Sequence, residues 1–271
     1  MWLGRDYTIG SDPELFIINT KTKKVVSAID KIPGTKADPF NEGLPKGFGL
    51  QTDNILAEFN IPPVQSESNF IECIEFMKNV IRDKVKAIDE KFDVLCQASA
   101  KVPSKELIHP QAREFGCDPD YCIYSQGSNA VSPATRTTLR SAGFHIHVGY
   151  PENNIDTSVA MLRYIDAIVG LPSIIYDTDV ERRKLYGKAG CFRLQPYGFE
   201  YRTLSSFWIG SESRLKFIWK QVMYALYLFE SGARIPDSEL IQTTINSNDV
   251  ETAKKLIIEF GLIHPKNVAP E

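Results

Sequence analysis

The stretch from Gly143 to Tyr150, GFHIHVGY, alternates strictly: Phe144, Ile146 and Val148 are apolar, and His145 and His147 lie between them. Successive side chains of an extended chain point to opposite sides, so this stretch predicts a strand with one apolar face and one imidazole face. The same period of two recurs three times. Asp12 and Glu14 share a face opposite Pro13 and Leu15; Glu58 and Asn60 lie opposite Ala57, Phe59 and Ile61; Glu200 and Arg202 lie opposite Phe199 and Tyr201. These patterns predict strands over 5–18, with a turn or bulge near Gly10, over 50–61, closed by Pro62 and Pro63, and over 199–207. The segment 24–29 is expected to pair back on the first of them as a hairpin.

Between Ser66 and Phe92 the period changes. Phe70, Ile74, Met77, Ile81, Val85, Ile88 and Phe92 recur at steps of three and four, which predicts a long amphipathic helix capped by Ser66 or Ser68. Further helices are expected over 156–180, capped by Asp156, over 211–231, and from Asn248 or Asp249 to Phe260. Residues 100–142 are irregular and polar. Long strands separated by helices, with little sign of tight βαβ packing, predict an α+β fold: a curved, mainly antiparallel sheet with helices on its convex face. One domain is expected over 1–271, with the motifs in 8–208 and a helical part in 210–271.

Composition changes this picture little. The chain is 43% hydrophobic and 24% charged, with a net charge of −3, which gives no general case for nucleic-acid or membrane binding. Five cysteines, an odd count without a C-x-x-C, suit reduced thiols in a cytoplasm, and the spacing of Cys117 and Cys122 fits no common zinc pattern. The segment MWLGRDYTIGSD lacks the basic and apolar regions of a signal peptide. The apolar run 222–229 is too short to span a bilayer.

The four polar pairs carry the chemistry. One such pair is what any solvated antiparallel face shows. Four of them offer Asp12, Glu14, Glu58, Asn60, His145, His147, Glu200 and Arg202, and carboxylates gathered on one sheet repel one another unless cations sit among them. Oxygen-rich clusters with an occasional imidazole suit Mg²⁺ or Mn²⁺. A zinc hydrolase would need a third imidazole, and His109 and His264 each precede proline in loop-like contexts. The basic, glycine-bearing segment 177–202 adds Arg182, Arg183, Lys184, Lys188 and Arg193, and Arg140 and Lys36 lie elsewhere. Cations of this kind beside divalent metals are what polyphosphate handling requires. Neither a Walker A motif nor G-x-G-x-x-G is present.

The order GSDPELF, AEFNIPP, GFHIHVG, YGKAGCFRLQPYGFEYR resembles the carboxylate–amine ligases (amidoligases) of tailed phages, relatives of glutamine synthetase and glutamate–cysteine ligase, over about residues 8–208. The resemblance implies a glutamine-synthetase-like fold, with ATP and two or more Mg²⁺ or Mn²⁺ ions on the concave face. It implies ATP-dependent joining of a carboxylate and an amine through an acyl phosphate, with ADP and phosphate released. Matched position by position, Glu14, Glu58, Glu200 and His145 correspond to metal ligands, with Asp12 as a further candidate. Asp12 stands where related ligases often carry Glu, and its shorter side chain reaches less far. Arg193 and Arg202 correspond to phosphate-handling arginines and, with Glu58, form the expected catalytic set. His147 is expected either to stand behind the metal ligands or to face the nucleotide, and Asn60, Arg140 and Arg182 to orient nucleotide or substrate.

The expected partners are ATP, a carboxylate and an amine, each a small molecule, a peptide or a nucleotide, met in the cytoplasm of the host if the chain is phage-encoded. Loops 36–43 and 115–124, with Asp118 and Asp120, are candidates for substrate contact. The alternatives are a phosphotransferase of the guanidino-kinase type on the same sheet and a scaffold that has lost catalysis.

Overall fold

Strand follows strand early in the chain because the turn-forming residues are closely spaced. The computed structural model describes residues 6–113, 121–128, 137–151 and 153–270, without the side chains of 126–128 and Lys184. Cys117, Asp118 and Asp120 fall outside the described residues. β1 (Thr8–Ser11) and β2 (Glu14–Asn19) are separate strands broken at Asp12–Pro13, and the irregularity expected near Gly10 is present as a register shift between Ile9 and Ser11 where β1 pairs with the strand Leu56–Val64. Pro13 cannot donate to a ladder, so the break falls there. β3 (Lys24–Val26) returns along β2 as expected.

The expected strand over 50–61 is instead a hairpin. β4 (Gly49–Asp53) and β5 (Leu56–Val64) pair antiparallel, with Asp53 opposite Leu56, and Asn54 takes the left-handed conformation at the turn (φ 52°). β5 also runs through Pro62 and Pro63 rather than stopping before them. The long helix α1 (Glu67–Ile88) starts where expected, with the Ser66 side chain accepting from Asn69 N–H, and it ends before Phe92. Phe92 opens β6 (Phe92–Leu95), which pairs with β2.

The next stretch holds β7 (Ser99–Lys101), two short 3-10 helices (Ser104–Leu107 and Pro110–Arg113), β8 (Tyr121–Cys122), β9 (Ser125–Ser128) and β10 (Leu139–Ser141). β7 and β10 form a small sheet of their own. β11 (Ile146–Gly149) is the core of the His-x-His strand.

Helix α2 (Ile155–Ile165) is capped by Asn154 rather than Asp156. It continues through a π-helical turn, Asp166–Gly170, into α3 (Leu171–Tyr176). The run 155–176 is long and apolar enough to cross a membrane, and 72% of its most apolar window is buried inside the fold. Its apolar side is therefore accounted for as core.

The glycine-bearing segment then forms α4 (Val180–Leu185) and the hairpin β12 (Cys191–Gln195) and β13 (Gly198–Tyr201). A 3-10 helix (Ser206–Ile209) replaces the end of the expected strand 199–207. The chain closes with α5 (Glu212–Glu230), α6 (Ser238–Ser247) and α7 (Val250–Phe260). α6 was not foreseen.

The described residues form an eleven-stranded sheet in which every pairing is antiparallel, with the central order β5-β1-β11-β13-β12. Phe144, Ile146 and Val148 are fully buried on one side of β11 and join a core that runs from Tyr7 to Leu262. α1 and α5 bring Phe70 and Trp219 to that side, and the Phe70 ring lies 6.3 Å from Phe144. The helices thus cover the apolar face and leave the histidine face open. This bears out a mixed, mainly antiparallel α and β architecture.

Candidate active site

Strand register gathers the polar pairs. Gly10 lies opposite His147, His147 opposite Glu200, and Glu200 opposite Arg193. On the neighbouring strands Glu14 and Gln51 both lie opposite Glu58. Together they surround a cavity of about 210 Å³. Asp12, Glu14, Glu58, Asn60, His145, His147, Arg193, Glu200 and Arg202 all line it. So do Lys36, Gln51, Asp53 and Gln195. Asp53 was missed because its strand was read as continuous with Glu58. The one available signal was the Asp-Asn dipeptide, a common turn opener.

Two of the expected residues lie elsewhere. Arg140 is buried on the small sheet. It donates to Asn54 Oδ1 at 3.1 Å and to the carbonyls of Ala112, Thr137 and Leu139 at 2.8 Å each. It braces the β4–β5 turn from behind instead of facing a ligand. Arg182 is buried, does not line the cavity and donates to the carbonyls of Thr203 at 2.8 Å and Arg202 at 3.4 Å. Charge alone suggested both for ligand contact, but a guanidinium has five donors and serves equally well to satisfy buried carbonyls.

At one end of the cavity Asp12, His147 and Glu200 offer ligand atoms all within 4.8 Å of one another, and Glu14, Asp53 and Glu58 do so at the other. His145 joins the first group: its Nδ1 is 3.0 Å from Asp12, 3.2 Å from Arg202 and 3.4 Å from Glu200. Its Nε2 lies over Gly143, where any side chain would collide with it. The Gly143 N–H donates to Glu14 at 2.5 Å. His147 Nδ1 pairs with the Tyr197 hydroxyl at 2.6 Å. Its buried Nε2 is 3.1 Å from Asp12 but outside hydrogen-bonding geometry. Arg202 bonds Glu200, which also accepts from Gln195 at 3.1 Å.

The two ends differ in electrostatics. Burial alone would raise Asp12, but His147 and His145 hold it well below the usual carboxylate range. Burial and Asp12 push Glu200 up, and Arg202, His145 and His147 more than reverse that. His147 is raised, because the Asp12 charge outweighs the cost of burial. At the other end burial raises Glu14 and Asp53, with His145 and Lys36 respectively offsetting part of the rise. Glu58 stands well above its ordinary value, through burial and then through Asp12, Glu14 and Asp53. At one end the neighbouring cations outweigh burial and repulsion, and at the other they do not.

Both groups fit divalent cations. The second is a buried set of carboxylate oxygens whose mutual repulsion a hard cation removes. The first holds a buried imidazole nitrogen with no hydrogen bond, 3.1 Å from Asp12 and within 4.8 Å of a Glu200 oxygen.

Residues 116–230 match the model of the family phage phiEco32-like COOH.NH2 ligase-type 2. The match supports a phage-type carboxylate–amine ligase. It takes in His145, His147, Arg193, Glu200 and Arg202, while Asp12, Glu14, Asp53 and Glu58 lie before it. No curated protein matches the chain.

Proposed function

We propose that the protein is an ATP-dependent carboxylate–amine ligase that works through an acyl phosphate. The observation that carries this is the pairing of two acid groups with Arg193 and Arg202 in one cavity. Asp12, Glu200 and His147, flanked by His145, would hold one divalent cation, and Glu14, Asp53 and Glu58 another. Mg²⁺ or Mn²⁺ there would neutralise the polyphosphate charge.

Arg202 and Arg193 orient the γ-phosphate and stabilise charge on its oxygens as it moves. A carboxylate oxygen bonds to the γ-phosphorus as the bond to the β–γ bridging oxygen breaks, giving an acyl phosphate and ADP. The amine nitrogen then bonds to the carbonyl carbon. The bond from that carbon to the phosphate oxygen breaks, and the nitrogen gives up a proton. Lys36, at the Asp53 end, supplies a cation for the acid before it is phosphorylated.

The test is calorimetry with Mg²⁺ and a non-hydrolysable ATP analogue, followed by a screen of acid and amine pairs for ADP release. Binding that needs the metal, and turnover that needs both substrates, are expected. No binding with or without metal overturns the reading. A phosphorylated product formed without condensation would make the protein a phosphotransferase.

A further inference from the structure

Gly143 lies just before β11, buried and in an antiparallel bridge with Ser205. Residues two apart on an extended chain share a face, so position 143 looks onto the same side as His145. The His145 ring folds back along the chain into the space that a side chain at 143 would need. A Cβ there would collide with His145 Nε2 and would stand 3.1 Å from Cδ2 and 3.2 Å from Cε1. The φ of Gly143 is not positive, so the demand for glycine comes from that ring and not from the backbone.

The main chain around Gly143 has little room to give. Gly143 N–H donates to Glu14 Oε2 at 2.5 Å, and its carbonyl accepts from Glu14 N–H at 3.0 Å. The Ala142 carbonyl accepts from Ser206 N–H at 2.9 Å, and Phe144 N–H donates to the Leu204 carbonyl at 3.0 Å. The Ser11 hydroxyl donates to the His145 carbonyl at 2.6 Å. Each peptide from 142 to 145 is thus tied to a neighbouring segment. The ring is the freer partner, and a side chain added at 143 turns it out of its place, together with the Nδ1 that now lies 3.0 Å from Asp12 and 3.4 Å from Glu200.

We propose that Gly143 is a positioning residue for the metal group of Asp12, His147 and Glu200: by lacking a side chain it lets the His145 ring settle beside the two acids. This rests on the metal reading above. Contacts that orient the groups around a metal are typically worth about ten- to a hundredfold in metal affinity. Gly143 supplies such a contact by its emptiness, and the same peptide holds Glu14 of the other acid group.

The experiment is calorimetry of Mn²⁺ binding to the nucleotide-free protein, in the parent, Gly143→Ala, His145→Ala and the double variant. Alanine keeps the N–H and carbonyl that hold Glu14, so it isolates the effect on the ring. Gly143→Ala and His145→Ala should each bind Mn²⁺ at least about tenfold more weakly at one site. The double variant should bind within about twofold of His145→Ala, because the ring that collides is gone. A glycine needed only for folding would lower the melting temperature in both backgrounds alike and leave the Mn²⁺ affinity of the folded protein unchanged. If Gly143→Ala does not fold, the double variant should fold and bind as His145→Ala does; a double variant that stays unfolded overturns the collision. Parental Mn²⁺ affinity in folded Gly143→Ala or in His145→Ala, or an equal further loss on adding Gly143→Ala to His145→Ala, overturns the positioning role alone. A parent that binds no Mn²⁺, with or without the ATP analogue, overturns the metal reading and this proposal with it.

Discussion

The two faces of β11 do opposite things with the same backbone. Phe144, Ile146 and Val148 disappear into a core, where each buried side chain stabilises the fold by roughly 1.5–3 kcal/mol. His145 and His147, between them, face buried carboxylates whose gathering works against folding. Stability and chemistry are thus separated by a half-turn of strand, and a substitution's effect should depend on which face it lands on. The polar face also divides within itself. Asp12 and Glu200 are held ionised by neighbouring cations, while Glu58 is pushed up by burial and then by neighbouring acids.

The largest expected effect is on the polar face. Glu58→Gln and Glu200→Gln should each lower the ligase rate by at least about a thousandfold, measured as ADP release. The two should part company in stability. Glu58→Gln removes a carboxyl that burial and three acidic neighbours oppose, so the metal-free variant should melt at or above the parent temperature. Glu200→Gln removes the partner of the buried Arg202, and its melting temperature should fall. Added Mg²⁺ should raise the parent's melting temperature more than that of Glu58→Gln. A Glu58→Gln protein that keeps parental turnover would dissolve the contrast between the faces.

On the apolar face the order reverses. Phe144→Ala should cost about 3–5 kcal/mol in denaturant unfolding, while the folded fraction keeps its affinity for Mg²⁺ and ATP. Arg140→Met should fall between the two faces. It leaves the buried carbonyl of Ala112 without this donor, worth about 1–3 kcal/mol, and the part-buried carbonyls of Thr137 and Leu139 lose it as well. Because Arg140 also holds Asn54, next to Asp53, Mg²⁺ affinity should weaken severalfold as stability drops. A stable Arg140→Met that loses ATP binding outright would return Arg140 to the ligand side.

Much of this was legible in the chain, for one physical reason. Where a strand is buried on one side only, period-two alternation writes the face into the sequence, so Asp12, Glu14, Glu58, the two histidines and the Glu200–Arg202 pair all read onto the face that lines the cavity. Ser66 was legible too, because a helix N-terminus needs a side-chain acceptor for its unpaired N–H groups. What failed depended on contacts distant in sequence. Asn54 reads as one more polar residue of a strand until its left-handed turn is seen, and Asp53 was hidden with it. β12 lies in a basic, glycine-bearing segment whose strand character comes from pairing with β13. Arg140 and Arg182 look like phosphate ligands until their carbonyl partners are known.

The smallest expected effect concerns Asp166, in the π-helical turn on the apolar side, where no polar role was foreseen. It is fully buried and accepts from the Tyr201 hydroxyl at 2.6 Å. Burial pushes its carboxyl up to about 7, and the Tyr201 hydrogen bond offsets only part of the rise. In the unfolded chain the group ionises near its ordinary value, about 4. The folded state therefore holds a proton that the unfolded state has released, and the stability this group contributes is lost as pH rises from about 4 through about 7. Asp166→Asn cannot ionise, yet it keeps an oxygen for Tyr201. The stability of the parent relative to Asp166→Asn should decline across that window in urea unfolding at several pH values, and level off above it. Taking the difference between the two proteins cancels the polar face, whose groups titrate in both. Parallel stability curves would mean that Asp166 is ionised in the fold, and that the apolar side tolerates charge as readily as the side built for it.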